Sequence, residues 1–188
     1  MTPEAEPEAL ESIDGARLTV RPIAPHDAEA LRAAFGHLSA ETRYRRFLGP
    51  VKRLTEANVE YLTQLDHRNH EALVAVDDEG AIVGVARYIR LEDRAGVAEV
   101  AVTVADDWQG RGVGTALLSR LAARARAAGI EAFIGICLTD NEDMIQLLRE
   151  LGSGAKVSNV GDGTVEVEAE LPGTVTPAAA RAALRAIS

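Results

Sequence analysis

One cysteine, Cys137, occurs in 188 residues, so no disulfide can form within the chain, and such usage fits a reducing compartment. No apolar run approaches the ~20 residues of a membrane span, and the first residues lack the basic and apolar regions of a secretory signal. These absences predict a cytoplasmic protein with no membrane partner. An excess of basic charge is missing too. The formal charge is −9, and residues 1–14 hold five acids (Glu4, Glu6, Glu8, Glu11, Asp14) and no base, which leaves −4 for the rest. That balance argues against nonspecific nucleic-acid binding and suits cationic partners. The Pro and Glu content of residues 1–14 reads as a disordered acidic leader. Nothing marks a second domain, and residues 15–172 suffice for one sizeable core. His67 and His70 have no cysteine or further histidine nearby, so no metal is expected.

What is present is an alternation of strand-like and helix-like segments. Leu18, Val20 and Pro22 alternate with polar neighbours and predict a first strand. Helices are predicted over Asp27 to Phe35, from an N-cap at Ser39 to Phe47, and from an N-cap at Thr55 to Leu65. Ala72 to Val76 and Ala81 to Leu91 flank Asp77-Asp78-Glu79-Gly80, a hairpin signal. Glu92-Asp93-Arg94-Ala95-Gly96 connects to the next strand, Val97 to Val104. Val113, Leu117, Leu118, Leu121 and Ala125 then recur at helical spacing, with Gly129 placed as a C-terminal cap. A strand over Ala132 to Leu138, a helix over Asn141 to Leu151, and strands over Ala155 to Val160 and Thr164 to Leu171 complete the core. Thr176 and Pro177 start an alanine-rich helical extension within residues 173–188.

Between strand and helix lies Gln109-Gly110-Arg111-Gly112-Val113-Gly114. A helix start leaves backbone N–H groups without intrahelical partners and carries the positive end of the macrodipole, so it suits a phosphate or pyrophosphate. Glycines at 110, 112 and 114 permit positive φ and keep side chains out of the cradle. A P-loop would need a Lys-Ser or Lys-Thr pair after the last glycine, and Val113-Gly114-Thr115 has no lysine. A dinucleotide fingerprint would need a third glycine at position 115, which is Thr115, and an acid after the next strand; Glu131 precedes it.

The run does match the Gln/Arg-x-x-Gly-x-Gly/Ala signature of the GCN5-related N-acetyltransferases (GNAT), and the chain resembles that family from about Arg17 to Leu171. The arm Thr42-Arg43-Tyr44-Arg45-Arg46-Phe47 and the segment Ala98-Glu99-Val100-Ala101 look most like the catalytic domains of bacterial protein-lysine acetyltransferases. The resemblance implies an α/β (α+β) GNAT fold, with a mixed central sheet of about six to seven strands and helices on both faces. It also implies acetyl-CoA as co-substrate, without a metal, and a protein lysine or a small amine as acceptor. A non-catalytic acyl-CoA sensor is a third reading. A homodimer could form through the closing strands or the C-terminal extension.

Roles follow residue by residue. A lysine amine has a free pKa of ~10.4 and must lose a proton before it attacks a thioester. Glu99, sharing a strand face with the small Ala101 and Thr103, is the candidate base, as in related lysine acetyltransferases. Ion pairing with Arg87 or Arg90 is its competing role. Main-chain groups of Val102, Thr103 and Val104 are expected along the pantetheine arm, with Val104 polarising the carbonyl. The pyrophosphate cradle is expected from Gln109, Gly110, Arg111, Gly112, Val113, Gly114 and Thr115. Substitution of Gly112 or Gly114 is expected to hurt most. Asn141 either caps its helix or bonds the pantetheine arm, with Met144 beside it. Where many relatives carry a tyrosine acid this chain has Leu148, and Ser153 replaces a common aromatic. Cys137 is expected to be buried and structural. Arg43, Arg45 and Arg46 are candidate phosphate or partner contacts, Trp108 a loop anchor, and Tyr44 and Tyr88 candidate acceptor-cleft walls.

Overall fold

In the computed structural model, residues 6–152 and 154–173 are described. They form one eight-stranded sheet with five helices, in strand order β1-β2-β3-β4-β5-β6-β8-β7. The strands are β1 (Glu8–Glu11), β2 (Arg17–Pro22), β3 (His70–Val76), β4 (Ile82–Arg90), β5 (Val97–Val104), β6 (Ala132–Leu138), β7 (Lys156–Gly161) and β8 (Thr164–Glu170). The helices are α1 (Ala28–His37), α2 (Ala40–Phe47), α3 (Glu56–Thr63), α4 (Val113–Ala127) and α5 (Glu142–Leu151). Strands β1 to β5 form an antiparallel run, β5 and β6 pair in parallel, and β8 returns antiparallel to β6. The parallel step requires a crossover, and α4 supplies it.

Helices cover both faces. On one, Val113, Leu117, Leu118, Leu121 and Ala125 of α4 pack with Val83, Ala86, Tyr88, Ala98 and Val100 of the sheet. On the other, Leu31 of α1 packs with Ile23, Ala72, Val74, Val76 and Ile82, flanked by Leu62 of α3. Period-2 and period-3.6 patterns thus meet on the surfaces that their spacing selects. A buried ion pair ties α4 to the sheet: Arg124 donates to Glu71 through Nε at 2.7 Å and lies 2.6 Å away through Nη2, while Glu71 is 1% exposed. Glu71 also accepts from the Ala72 N–H and sits 2.7 Å from His67 Nδ1, so its oxygens are fully engaged.

Part of the expected disordered leader is instead ordered: Glu8–Glu11 pairs with β2 and is the eighth strand. Among its side chains only Leu10 is half-buried, so there is no apolar alternation to reveal it. Backbone pairing holds it, with Arg120 of α4 bonding Glu8 at 2.9 Å and the Ala9 carbonyl at 3.5 Å. The alanine-rich helix expected from Thr176, and Ser153, lie outside the described residues. No described helix is long and apolar enough to cross a membrane.

Candidate active site

The central geometric fact is a divergence. β5 and β6 have eight and seven residues, yet pair only over Val97 to Glu99 against Ala132 to Ile134. Beyond Glu99 the strands separate. The hydrogen bonds at both ends of β4 and β5 fix which backbone groups face the gap. Leu91 N–H donates to Val97, and Ala105 N–H donates to Val83. In an antiparallel ladder this phase directs the odd-numbered residues of β5 toward β4 and the N–H groups of Val100, Val102 and Val104 toward the gap. Val104 keeps its carbonyl engaged with the Gln109 side-chain amide at 3.1 Å.

The gap widens into a cleft of about 610 Å³. Its walls include Val102, Thr103 and Val104 of β5, Gly110 and Gly112 to Thr115 at the start of α4, and Asn141, Met144 and Leu147 of the α5 end. Gln109 lies there too. Gly112 is the N-cap of α4 with φ 80° and ψ 0°, and Gly110 has φ 71°. Both occupy the left-handed region that favours glycine. Gly114 does not: it lies within the helix, and an added Cβ would meet Val104, Val102 and Leu147 at 3.5–3.9 Å, ordinary contact distances. Of the three glycines that permit positive φ, Gly114 does not use it.

Asp106 braces the opposite rim. It accepts from the Ser39 N–H (2.9 Å), Ser39 Oγ (2.7 Å) and Thr42 Oγ1 (2.8 Å), which hold the start of α2 against the loop. Burial opposes ionisation of Asp106, but these bonds win and its pKa falls below the usual carboxylate value. Arg111 extends over the Trp108 ring at 4.9 Å and pairs with Asp14 at 3.1 Å. Trp108 thus anchors the loop as expected.

Glu99 is exposed and stands just outside the cleft lining, on the face that carries Ala101 and Thr103. The competing pairing with Arg87 or Arg90 is not made: Arg87 donates to His70 Nε2 and the Leu62 carbonyl, and Arg90 donates to Asn69 and the Ala128 carbonyl. Glu99 instead acts electrostatically on Arg46 of α2. Burial lowers the Arg46 pKa, and Glu99 partly offsets this. Arg87 was missed as a site element by sequence reasoning, because an arginine inside an apolar strand carries no signal of its surroundings. It is 5% exposed, and burial together with Arg46 lowers its pKa to about 9. Arg46 and Arg87 both line a small apolar cavity of about 60 Å³ between Leu31, Phe35, Phe47, Ala101 and Thr103.

Other positions resolve in turn. Asn141 caps α5 by accepting from the Met144 N–H at 3.3 Å while its residue lines the cleft. Leu148 is fully buried in the core, pressed toward Gly135 of β6. Cys137 is buried, and that burial raises its pKa, so it is an inert thiol at the cleft wall. Tyr88 is 1% exposed and donates to the Arg68 carbonyl, which corrects its suggested role as an acceptor-cleft wall; Tyr44 is exposed. Arg45 pairs with Glu41 at 2.8 Å, and Arg43 lies over the Phe35 ring at 5.5 Å. No cluster of three or more potential metal ligands occurs among the described residues.

A splayed pair of parallel strands, a glycine-rich helix start at the outer end of the gap and N–H groups facing the gap are the features of an α+β acyltransferase fold. The family profile described as "Acetyltransferase (GNAT) family" matches residues 35–152, and the chain belongs to that family, whose members use acetyl-CoA. It is 36% identical over 150 residues to the acetyltransferase Pat of Mycolicibacterium smegmatis, an alignment covering 79% of this chain and 45% of that protein. The chain therefore spans less than half the length of this relative. It is 35% identical over 147 residues to an acetyltransferase of Pseudomonas aeruginosa, covering 76% of this chain and 78% of that one. The crystal structure of the GNAT domain of S. lividans PAT superposes with a TM-score of 0.80 at 34% identity, covering 88% of this chain and 97% of the other.

Proposed function

We propose that the chain transfers an acetyl group from acetyl-CoA directly to the side-chain amine of a protein lysine, with Glu99 as general base. The exposure of Glu99 carries this reading: it stands at an open surface beside the cleft, where a side chain presented by another protein reaches it. The resemblance of the arm at residues 42–47 and the segment at residues 98–101 to bacterial protein-lysine acetyltransferases supports the same acceptor, and the similarity to the acetyltransferase Pat supports acetyl transfer.

The lining of the cleft supports this donor. Its pyrophosphate accepts from N–H groups of Gly110 to Thr115, where the α4 dipole adds to the hydrogen bonds. The pantetheine arm runs between β5 and β6 past Val102, Thr103, Asn141 and Met144. Glu99 withdraws the ammonium proton, directly or through water, and the neutral nitrogen attacks the thioester carbonyl. A C–N bond forms, and negative charge on the carbonyl oxygen is met by the Val104 N–H. The C–S bond then breaks, the now cationic nitrogen gives its second proton to solvent to become the amide, and the thiolate leaves, taking its proton from water, since Leu148 supplies no acid. A pKa well below that of an amine makes the thiolate a competent leaving group.

A second reading has its own observation. The small cavity beside Ala101 and Thr103, with Arg46 and Arg87 in its wall, suits a small amine that also bears an anionic group. Incubation with labelled acetyl-CoA and a cell extract separates the two. Label on lysines of particular proteins is the expected result. Label confined to small metabolites moves the assignment to the small amine, and donor binding without any transfer indicates a non-catalytic acyl-CoA sensor.

A further inference from the structure

The turn between β1 and β2 touches the phosphate loop at three points. Ile13 N–H donates to the Arg111 carbonyl at 3.0 Å, Asp14 pairs with the Arg111 guanidinium at 3.1 Å, and the Ile13 side chain lies against Gly112. An added Cβ on Gly112 would stand 3.3 Å from Ile13 carbons. The turn is itself tightly bonded. Ser12 is buried, donates to Asp14 at 2.5 Å and accepts from the Ala16 N–H at 3.0 Å, while Gly15 N–H returns to the Ser12 carbonyl at 2.9 Å. Such a turn holds Ile13 in one place, yet Ile13 is 81% exposed, more than any other exposed large apolar residue described. Its side chain is part of the donor-cleft wall.

An isoleucine fixed in water against a phosphate cradle is explained if a ligand covers it. The order of groups along the cleft names the part of the ligand. The thioester end belongs beside Val104, the pyrophosphate on Gly110 to Thr115, and what lies outward of Gly112 is the nucleoside. We propose, resting on the acetyl-CoA reading above, that the Ser12–Asp14 turn is the nucleoside subsite of the donor cleft. Ile13 packs on the adenosine of CoA, and Asp14, with Trp108, positions Arg111 at the rim.

Calorimetric binding of CoA and of 4′-phosphopantetheine, which lacks the nucleoside, tests this in the intact chain. Ile13→Ser is expected to weaken CoA about tenfold, the effect of exposing part of one aliphatic contact, and to leave 4′-phosphopantetheine binding unchanged. Ile13→Leu is expected to retain CoA affinity. Unchanged CoA affinity in Ile13→Ser overturns the proposal, as does an equal loss for both ligands, which would place the effect on the loop itself. Failure of the wild-type chain to bind either ligand overturns the donor reading as well, a result distinct from the first two.

Discussion

Gly112 and Gly114 are two residues apart in one signature, yet the structure predicts opposite consequences for their replacement by alanine. Gly112 holds φ 80° as the N-cap of α4, and an L-residue in the left-handed region costs roughly 1–2 kcal/mol. Its new Cβ would also stand 3.3 Å from Ile13 carbons, tighter than ordinary contact, on a side chain that the bonded turn holds against the loop. Gly114 sits in the first turn of α4 with room for a methyl, its closest neighbour being Val104 at 3.5 Å. There alanine should gain about 0.5–1 kcal/mol over glycine. The two variants should therefore differ by about 1.5–3 kcal/mol, and at about 2–4 °C per kcal/mol for a chain of this size their melting points should lie about 3–12 °C apart. Donor affinity should follow the same order. Gly112→Ala disturbs the N–H cradle and should bind acetyl-CoA poorly, whereas Gly114→Ala adds one methyl to the cleft wall and should stay within a few-fold of wild type. Thermal melts and calorimetry on the purified variants decide the matter. Equal destabilisation by the two substitutions would refute the assignment of left-handed strain to Gly112 alone.

Removing Arg124 should leave Glu71 buried without its guanidinium, so Arg124→Ala should cost about 3–5 kcal/mol in denaturant unfolding; a loss under 1 kcal/mol would show that the pair is not what joins α4 to β3. His70, which accepts from Arg87, has its pKa lowered to about 4 by burial first and by Arg87 second. Its folded value lies below the unfolded ~6.5, so its contribution is complete above that pH and should be lost as pH falls from about 6.5 to about 4. A melting-point series over this range should decline, and His70→Gln, which keeps an acceptor but no titrating ring, should flatten part of the decline. Leu148→Tyr should not restore a general acid. The leucine is fully buried toward Gly135, so the larger ring should overpack by about 1–3 kcal/mol without raising turnover, as paired melts and assays would show.

How much of this was legible depended on which physical link carried it. β5 appears over Val97–Val104 as its alternation predicts, and α2 and α3 begin after their Ser39 and Thr55 caps, both of which accept from the backbone three residues on. Such features are local, and local chemistry is written in consecutive residues. β1 was read as leader because an edge strand with one half-buried side chain has no apolar period, and its partners, Thr19 and Arg120, are distant in sequence. The glycine-rich loop was legible as a motif. Which of its glycines takes positive φ was not, because that depends on where α4 begins. The cleft-facing phase of the Val102 and Val104 N–H groups emerged only from the register of β4 on β5. Likewise Arg46, Arg87 and Glu99 come from α2, β4 and β5, and no spacing rule brings three separate elements to one place.

The most direct test of the account is turnover set beside donor affinity in Glu99→Gln, measured with acetyl-CoA and the acceptor found in the labelling experiment. Glu99 is exposed and makes no ion pair with Arg87 or Arg90, so the variant should fold and bind acetyl-CoA like wild type. Loss of a general base should lower kcat by about 10²–10⁴-fold at neutral pH, with partial recovery as pH rises and the free amine becomes more abundant. Wild-type kcat in this variant, with intact donor binding, would contradict the assignment of Glu99 as the base.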